Sequence, residues 1–318
     1  MNPLTPLNRR EFLRQSLFTA GALTAAPVAR AAAPLRVIDT HTHFYDPTRP
    51  QGVPWPQPGT PLHRRVLPAD WLAVAEPHGV RETVVVEASP WLEDNAWILE
   101  LAARERSIVG FVGHLLPEAP EFPQHLERFA KNPLFRGIRV PQASVLANVD
   151  QPAFRKALAL MAERNVALDL NGPPRLHAAA ARVARELPSL RIVLNHVGLA
   201  GDPARLSDEW RASMRELGKC EQVYCKVSAL QEQTAAAGQR RGEAPRDTAY
   251  YAPVLDHCWE CFGPARLIYG SDWPVCEKGG TYADQFRIVQ EYFAGKGADA
   301  AEAYFSRNSR TAYRWVDR

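Results

Sequence analysis

Short apolar runs of strand length alternate with amphipathic stretches of helix length along most of this chain. Eight runs read as strands: Val37–Phe44, Glu82–Ser89, Ile108–Leu115, Phe135–Pro141, Val166–Gly172, Arg191–Gly198, Val223–Leu230 and Leu267–Pro274. Several are apolar at consecutive positions, as strands buried under helices on both faces must be. Between them, Asp94–Arg106, Gln151–Asn165, Arg175–Leu187, Asp208–Gly218, Ala252–Phe262 and Tyr282–Ala294 carry apolar residues three and four positions apart, which predicts amphipathic helices. Repeated β-then-α units build a parallel sheet covered by helices. An open doubly wound sheet would alternate in the same way, but its first strand usually runs into a Gly-rich phosphate turn. Here the first strand runs into His41-Thr42-His43 and a long loop. The expected fold is α/β, a (β/α)8 TIM barrel forming a single domain over residues 32–318, close to the roughly 250 residues such a barrel needs.

Two connections are longer than a minimal βα loop: the Pro-rich Pro47–Pro68 after the first strand, and Gln231–Tyr250 after the seventh. Both leave C-terminal strand ends, so both are expected to overhang the barrel mouth as lids. The segment Ala300–Trp315 reads as a closing helix or helix pair, with Tyr304, Phe305, Tyr313 and Trp315 available for packing.

Residues 1–31 change the picture of location. Asn8-Arg9-Arg10-Glu11-Phe12-Leu13-Arg14 is a twin-arginine pattern, followed by a weakly apolar stretch from Ser16 to Val28 and an Ala29-Arg30-Ala31 cleavage-type site. The apolar stretch is too short to span a membrane. The expectation is a twin-arginine export signal, use of the twin-arginine machinery, and a periplasmic or otherwise exported protein. The alternative is a disordered basic N-terminus. The formal net charge is only +3, and several positives lie in that N-terminal segment, so neither a nucleic-acid partner nor a membrane surface is expected for the remainder. A small-molecule substrate is. The five cysteines are irregularly spaced, and Cys258-x-x-Cys261 falls on an expected helix without a second pair, which reads as core thiols rather than zinc ligands.

Chemistry gathers at the strand tails. Strand side chains alternate faces, so His41 and His43 point the same way at the end of the first strand. Glu87, His114, Arg139, Asn171 with Asp169, His196, Lys226 with Ser228, and Asp272 follow on successive strands. Desolvating so many polar groups without function would be costly, which makes this ring the expected active site. First and last strands of a closed barrel are neighbours, so His41 and His43 are expected to meet Asp272.

At these positions the sequence resembles the amidohydrolase superfamily, in its amidohydrolase-2 branch of L-fuconolactonase, L-rhamnonolactonase and 2-pyrone-4,6-dicarboxylate lactonase. The carriers are Ile38-Asp39-Thr40-His41-Thr42-His43-Phe44, Phe135-Arg136-Gly137-Ile138-Arg139, Val193-Leu194-Asn195-His196-Val197-Gly198, Tyr224-Cys225-Lys226-Val227-Ser228 and Phe262–Pro274. The resemblance implies a distorted barrel that opens small oxygenated rings. Two departures stand out. Arg139 and Asn171 stand near the places where two-metal members carry a bridging carboxylate or carboxylated Lys and a His, which disfavours a two-metal centre. Asn195 and Glu87 stand where the branch often has Asp and Gln.

For such a hydrolase Asp272 is the expected general base, with His196 and Arg139 as further catalytic groups. Opening a lactone requires a proton to leave water and a proton to reach the departing alkoxide, and one carboxylate can carry both transfers. His41, His43, His196 and Asp272 form a donor set suited to one divalent ion, zinc or manganese, although the reading leaves open that none is required. Arg139 and Lys226 are expected at the developing oxyanion. Glu87, His114, Asn171, Lys226, Trp55 and Trp273 are expected substrate contacts, with Trp91 a weaker one. Arg139, Lys226 and the basic pair Arg240-Arg241 would suit an anionic or polyhydroxylated ligand. The alternatives are a metal-dependent decarboxylase of the same branch and a non-catalytic ligand-binding barrel.

Overall fold

A computed structural model describes residues 35–237 and 244–318. The export segment expected over residues 1–31 and the pair Arg240-Arg241 lie outside the described residues. Eight parallel strands run in chain order: β1 Ile38–Thr42, β2 Glu82–Val86, β3 Ile108–Gly113, β4 Phe135–Arg139, β5 Ala167–Leu170, β6 Ile192–Leu194, β7 Val223–Val227 and β8 Leu267–Tyr269. Each pairs in parallel with the next, and helices cover the outside, giving the (β/α)8 barrel. Most strands stop short of the apolar runs that predict them. The last residues of those runs leave the ladder and carry polar side chains to the mouth: His43, Glu87, His196 and Asp272 all lie just past a strand end.

The barrel is sewn shut mainly by side chains. Between β1 and β8 there is one parallel bridge, Thr42 to Trp273, and one backbone bond from the His43 N–H to the Trp273 carbonyl at 2.9 Å. Asp39, fully buried, accepts from the Ser271 N–H at 2.8 Å and the His41 N–H at 3.1 Å on one oxygen. Its other oxygen accepts from Trp71 Nε1 at 3.4 Å and the Tyr282 hydroxyl at 3.3 Å. The Thr40 hydroxyl donates to the Tyr269 carbonyl, and Lys226 Nζ donates to the Thr40 carbonyl at 2.8 Å. Gly270 permits this approach: a Cβ there would come within 2.8 Å of the His41 Cβ.

At the opposite end the C-terminal segment plugs the barrel. Helices Ala298–Glu302 and Asn308–Tyr313, joined through a π-helical turn at Ala303–Arg307, deliver Ala312, Tyr313 and Trp315 into an apolar cluster with Ile38, Val84, Val109 and Ile268. The Tyr313 hydroxyl donates to Asp169 Oδ2 at 2.7 Å, an oxygen also 3.3 Å from Lys226 Nζ. The closing helix expected over Ala300–Trp315 is thus a plug.

Some helices were not legible. Helix Phe122–Ala130, absent from the helical stretches read from the sequence, buries Phe122, Leu126 and Phe129 at helical spacing. Pro123 sits in the first turn, where its missing N–H costs nothing. The second long connection opens with helix Leu230–Ala237 instead of a loop, and helix Thr248–Phe262 begins before the expected Ala252. Asp247 caps that helix by accepting from the Ala249 N–H at 3.0 Å, and the helix continues through Pro253. All five cysteines are unpaired, with Cys258 in the core and Cys261 partly buried. Among the described residues no helix is long and apolar enough to cross a membrane.

The Asp39 carboxylate satisfies two buried backbone N–H groups at the seam. Replacing Asp39 with Ala strands them, at about 1–3 kcal/mol each. Urea denaturation of Asp39→Ala is expected to show a loss of at least about 3 kcal/mol; a variant within 1 kcal/mol of the parent would mean the seam closes without it.

Candidate active site

β1 ends by placing His41 and His43 side by side, ring centroids 5.0 Å apart in an edge-on arrangement. The His43 Nδ1–H donates to the Val86 carbonyl at 2.9 Å, which fixes the tautomer and turns the bare Nε2 inward. That Nε2 lies 3.2 Å from Asp272 Oδ1. His41 Nε2 lies 3.2 Å from the same oxygen, without the angle of a hydrogen bond, and His196 Nε2 lies 3.9 Å away. His196 is held from behind by Ser228 Oγ, 2.9 Å from its Nδ1. Three imidazoles from the ends of two strands, β1 and β6, therefore converge on one carboxylate oxygen.

The backbone is bent to achieve this. His196, Val197 and Asp272 have φ of 54°, 47° and 60°, a left-handed conformation unfavourable for any residue with a Cβ and most of all for β-branched Val197. Such conformations cost of order 1–3 kcal/mol each and persist where the surroundings impose them. Here they turn the ends of β6 and β8 so that both side chains face the centre.

Burial sets the charge states. His41 is held well below the ordinary imidazole range by burial and by the nearby Lys226 charge, and His196 is pushed down to about 4 by burial against the partial opposition of Asp272. Both are neutral at pH 7, as metal ligands must be. Asp272 is ionised: burial works against its charge, but the imidazoles of His196 and His43 gathered around it hold it below the usual carboxylate range. Glu232 goes the other way, raised by burial and by the Asp272 charge beside it. With Asp272 ionised beside it, Glu232 favours its protonated form.

The donor set fits one divalent cation. Both ring nitrogens of His41 are buried without a partner, and ligand atoms of His41, His196 and Asp272 all lie within 4.8 Å of one another. His43 faces the same oxygen with a lone pair. A cation among these atoms satisfies electron pairs that otherwise oppose each other.

A cavity of about 330 Å³ opens over the cluster at the C-terminal mouth. His43, Trp55, Glu87, Arg139, Asn171, His196 and Asp272, all expected site residues, line it. Trp55 arrives on the first long loop and packs edge-on against His43 at 5.9 Å. Arg139 Nε donates to Glu87 Oε1 at 2.7 Å, and Nη2 donates to the Glu87 carbonyl at 2.7 Å. His114 lies in an adjoining lobe, its Nδ1 3.9 Å from Glu87 Oε1.

Other expected contacts are placed elsewhere. Lys226 does not line the cavity. It belongs to the interior of β7 rather than its end, so its ammonium sits a layer below, fully buried against Asp169 and the Thr40 carbonyl. Trp273 is buried against Phe44 and donates to Glu277 Oε1 at 3.1 Å, because strand-end geometry points Asp272 inward and its neighbour outward. Trp91 is partly exposed at the start of helix Leu92–Arg104, away from the cavity. Conversely, Lys278 and Val275 line the mouth and Glu232 reaches Asp272. None carried a strand-end signal: Glu232 lies on a helix read as loop, and Lys278 on a short turn after β8.

Comparison with known proteins places this geometry in a family. The Amidohydrolase family described as amidohydrolase-2 matches residues 38–315. The chain is 32% identical over 250 residues to an L-fucono-1,5-lactonase of Burkholderia ambifaria, covering 78% of this chain and 83% of that protein. It is 30% identical over 280 residues to an L-fucono-1,5-lactonase of Burkholderia multivorans, covering 83% and 90%. Among solved structures, an amidohydrolase from Burkholderia multivorans with bound zinc superposes with a TM-score of 0.79 at 27% identity, over 88% of this chain and all of that one. With the family match spanning the barrel from β1 to its C-terminal plug, this chain belongs to the amidohydrolase-2 family.

Proposed function

We propose that this protein is a hydrolase that opens a lactone or related cyclic ester, with Asp272 as the proton-transferring base. The observation that carries the reading is the convergence of the Nε2 atoms of His41, His43 and His196 on Asp272 Oδ1 at the floor of a mouth-side cavity. The lactonase name carried by relatives at 30–32% identity supports this chemistry over decarboxylation.

Asp272, ionised and aimed at the cavity, takes a proton from a water held among the imidazoles. The water oxygen bonds to the lactone carbonyl carbon, the ring C–O bond breaks, and the proton passes from Asp272 to the departing alkoxide, giving a hydroxy acid. Because its neighbours keep Asp272 a weak base, its protonated form is a ready acid towards the far more basic alkoxide. Glu232, its carboxyl raised by burial and by the Asp272 charge, stands beside Asp272 as a protonated neighbour. Arg139, expected at the oxyanion, has two of its donor groups engaged by Glu87, so its part lies in substrate binding. His41, His196 and Asp272, with His43 beside them, would hold one zinc or manganese ion, which when bound would polarise the carbonyl and acidify water. The twin-arginine reading of residues 1–31 extends the proposal to a periplasmic enzyme, which fractionation of cells producing the full chain tests.

Asp272→Asn is expected to lower turnover on a lactone panel by at least about 10³-fold, at the upper part of the range for a general base, with an unchanged circular dichroism spectrum. A folded Asn variant with near-parental rates would remove Asp272 from the mechanism. Chelation followed by stepwise return of zinc or manganese is expected to bind close to one equivalent by metal analysis and to restore activity, whereas full activity in metal-free protein would dispense with the ion. His41 and His196 serve as neutral groups, so acid should inactivate as they take up protons: kcat/KM is expected to fall only as pH drops towards 4, the region of His196. A pH–rate profile already falling through 6.5 would place the required group elsewhere.

A further inference from the structure

The cavity above Asp272 does not end there. Glu87, Arg139 and Asn171 line both it and an adjoining lobe of about 250 Å³ bounded by Pro90, His114 and Gln142. Whatever ring sits with its ester at Asp272 must therefore present its remaining substituents to these three side chains.

Their chemistry is specific. Arg139 would be the natural partner of a substrate carboxylate, but its Nε and one terminal nitrogen are committed to Glu87 at 2.7 Å each. Glu87 stays ionised: burial raises its carboxyl, but Arg139 and His114 outweigh this and push it down to about 2. The pair is thus electrically closed. Asn171 Oδ1 is buried and has no hydrogen-bond partner among the described residues, so the lobe holds a second acceptor awaiting a donor. Across the cavity lining, the negative charges of Glu87 and Asp272 are matched by the positive charges of Arg139 and Lys278.

A hydroxyl both donates and accepts, whereas a carboxylate only accepts. Against Glu87 and Asn171 Oδ1, a hydroxyl finds acceptors for its proton, and the remaining Arg139 N–H groups find its oxygen. A carboxylate in the same place would leave Asn171 Oδ1 without a donor and set its charge against Glu87.

We infer that Glu87 is the specificity-determining residue of this site, selecting a neutral polyhydroxylated lactone and rejecting a ring that bears carboxylates. The inference rests on the lactonase reading of the Asp272 cluster and narrows it. Removing the Glu87 charge frees the Arg139 guanidinium for an anion, so the preference should move towards acidic rings without any change at Asp272.

The test compares a neutral six-carbon aldonolactone with 2-pyrone-4,6-dicarboxylate, using the full chain and its Glu87→Gln variant. The parent is expected to favour the neutral lactone in kcat/KM by about 100-fold, the upper end of the cost of leaving one buried acceptor unpaired. In Glu87→Gln that ratio should shrink by at least about 10-fold, mostly through KM. A parent that prefers the dicarboxylate, or a folded variant with an unchanged ratio, overturns the inference. Because Glu87→Gln leaves Arg139 without its counter-charge and could unfold, calorimetric binding of both rings to Asp272→Asn, which keeps the pair intact, provides a second measurement. Tighter binding of the neutral lactone supports the assignment; equal binding, tighter binding of the dicarboxylate, or binding of neither ring refutes it. If the parent turns over neither ring but binds in the expected order, the hydrolytic reading fails while the role of Glu87 stands.

Discussion

The site depends on a seam. Two of its imidazoles come from β1 and its carboxylate from the end of β8, and these strands share almost no backbone ladder. Asp39, Thr40 and Lys226 close the gap with hydrogen bonds directed at particular backbone groups, while Gly270 removes the Cβ that would hold the strands apart. Backbone pairing alone tolerates slippage by whole residues, but a buried carboxylate satisfying two named N–H groups does not. That fixed register is what allows His41 and His43 to stand 3.2 Å from the Asp272 carboxylate.

Above the seam, the mouth trades local comfort for aim. Left-handed conformations at His196, Val197 and Asp272, and a carboxyl pair at Asp272 and Glu232, are unfavourable features that the surrounding barrel imposes. They sit at the chemistry and not in the body of the fold. The same buried setting that strips water from these groups keeps His41 and His196 neutral, holds Asp272 charged and favours the protonated form of Glu232.

Below it, a second polar group has a different duty. Lys226, Asp169 and the Tyr313 hydroxyl meet inside the barrel, where the C-terminal plug reaches up between the strands. Lys226 thus ties the plug, β5 and the seam together, and its charge also helps to hold His41 neutral. A cationic side chain in a ring of functional residues is here part of the support under the site.

Alternating apolar runs and helical stretches were enough to determine the barrel and its eight strands, because burial on both faces leaves a composition that survives in one dimension. The tails of those runs likewise marked His41, His43, His196 and Asp272, since strand alternation and barrel closure dictate where such residues must point. Depth was not written there. Lys226 and His196 look alike as polar residues near strand ends, but one lies within β7 and the other beyond β6, and only packing distinguishes the layers. Trp273 faces outward because Asp272, its neighbour, takes the inward position. Lys278 reaches the cavity from a turn, and Glu232 comes beside Asp272 from a helix, at positions that follow from how the loops pack over the mouth, a property of distant contacts with no period in the sequence. The pairing of Glu87 with Arg139 has the same origin: each strand supplies one charge, and only the curvature of the barrel brings them to 2.7 Å.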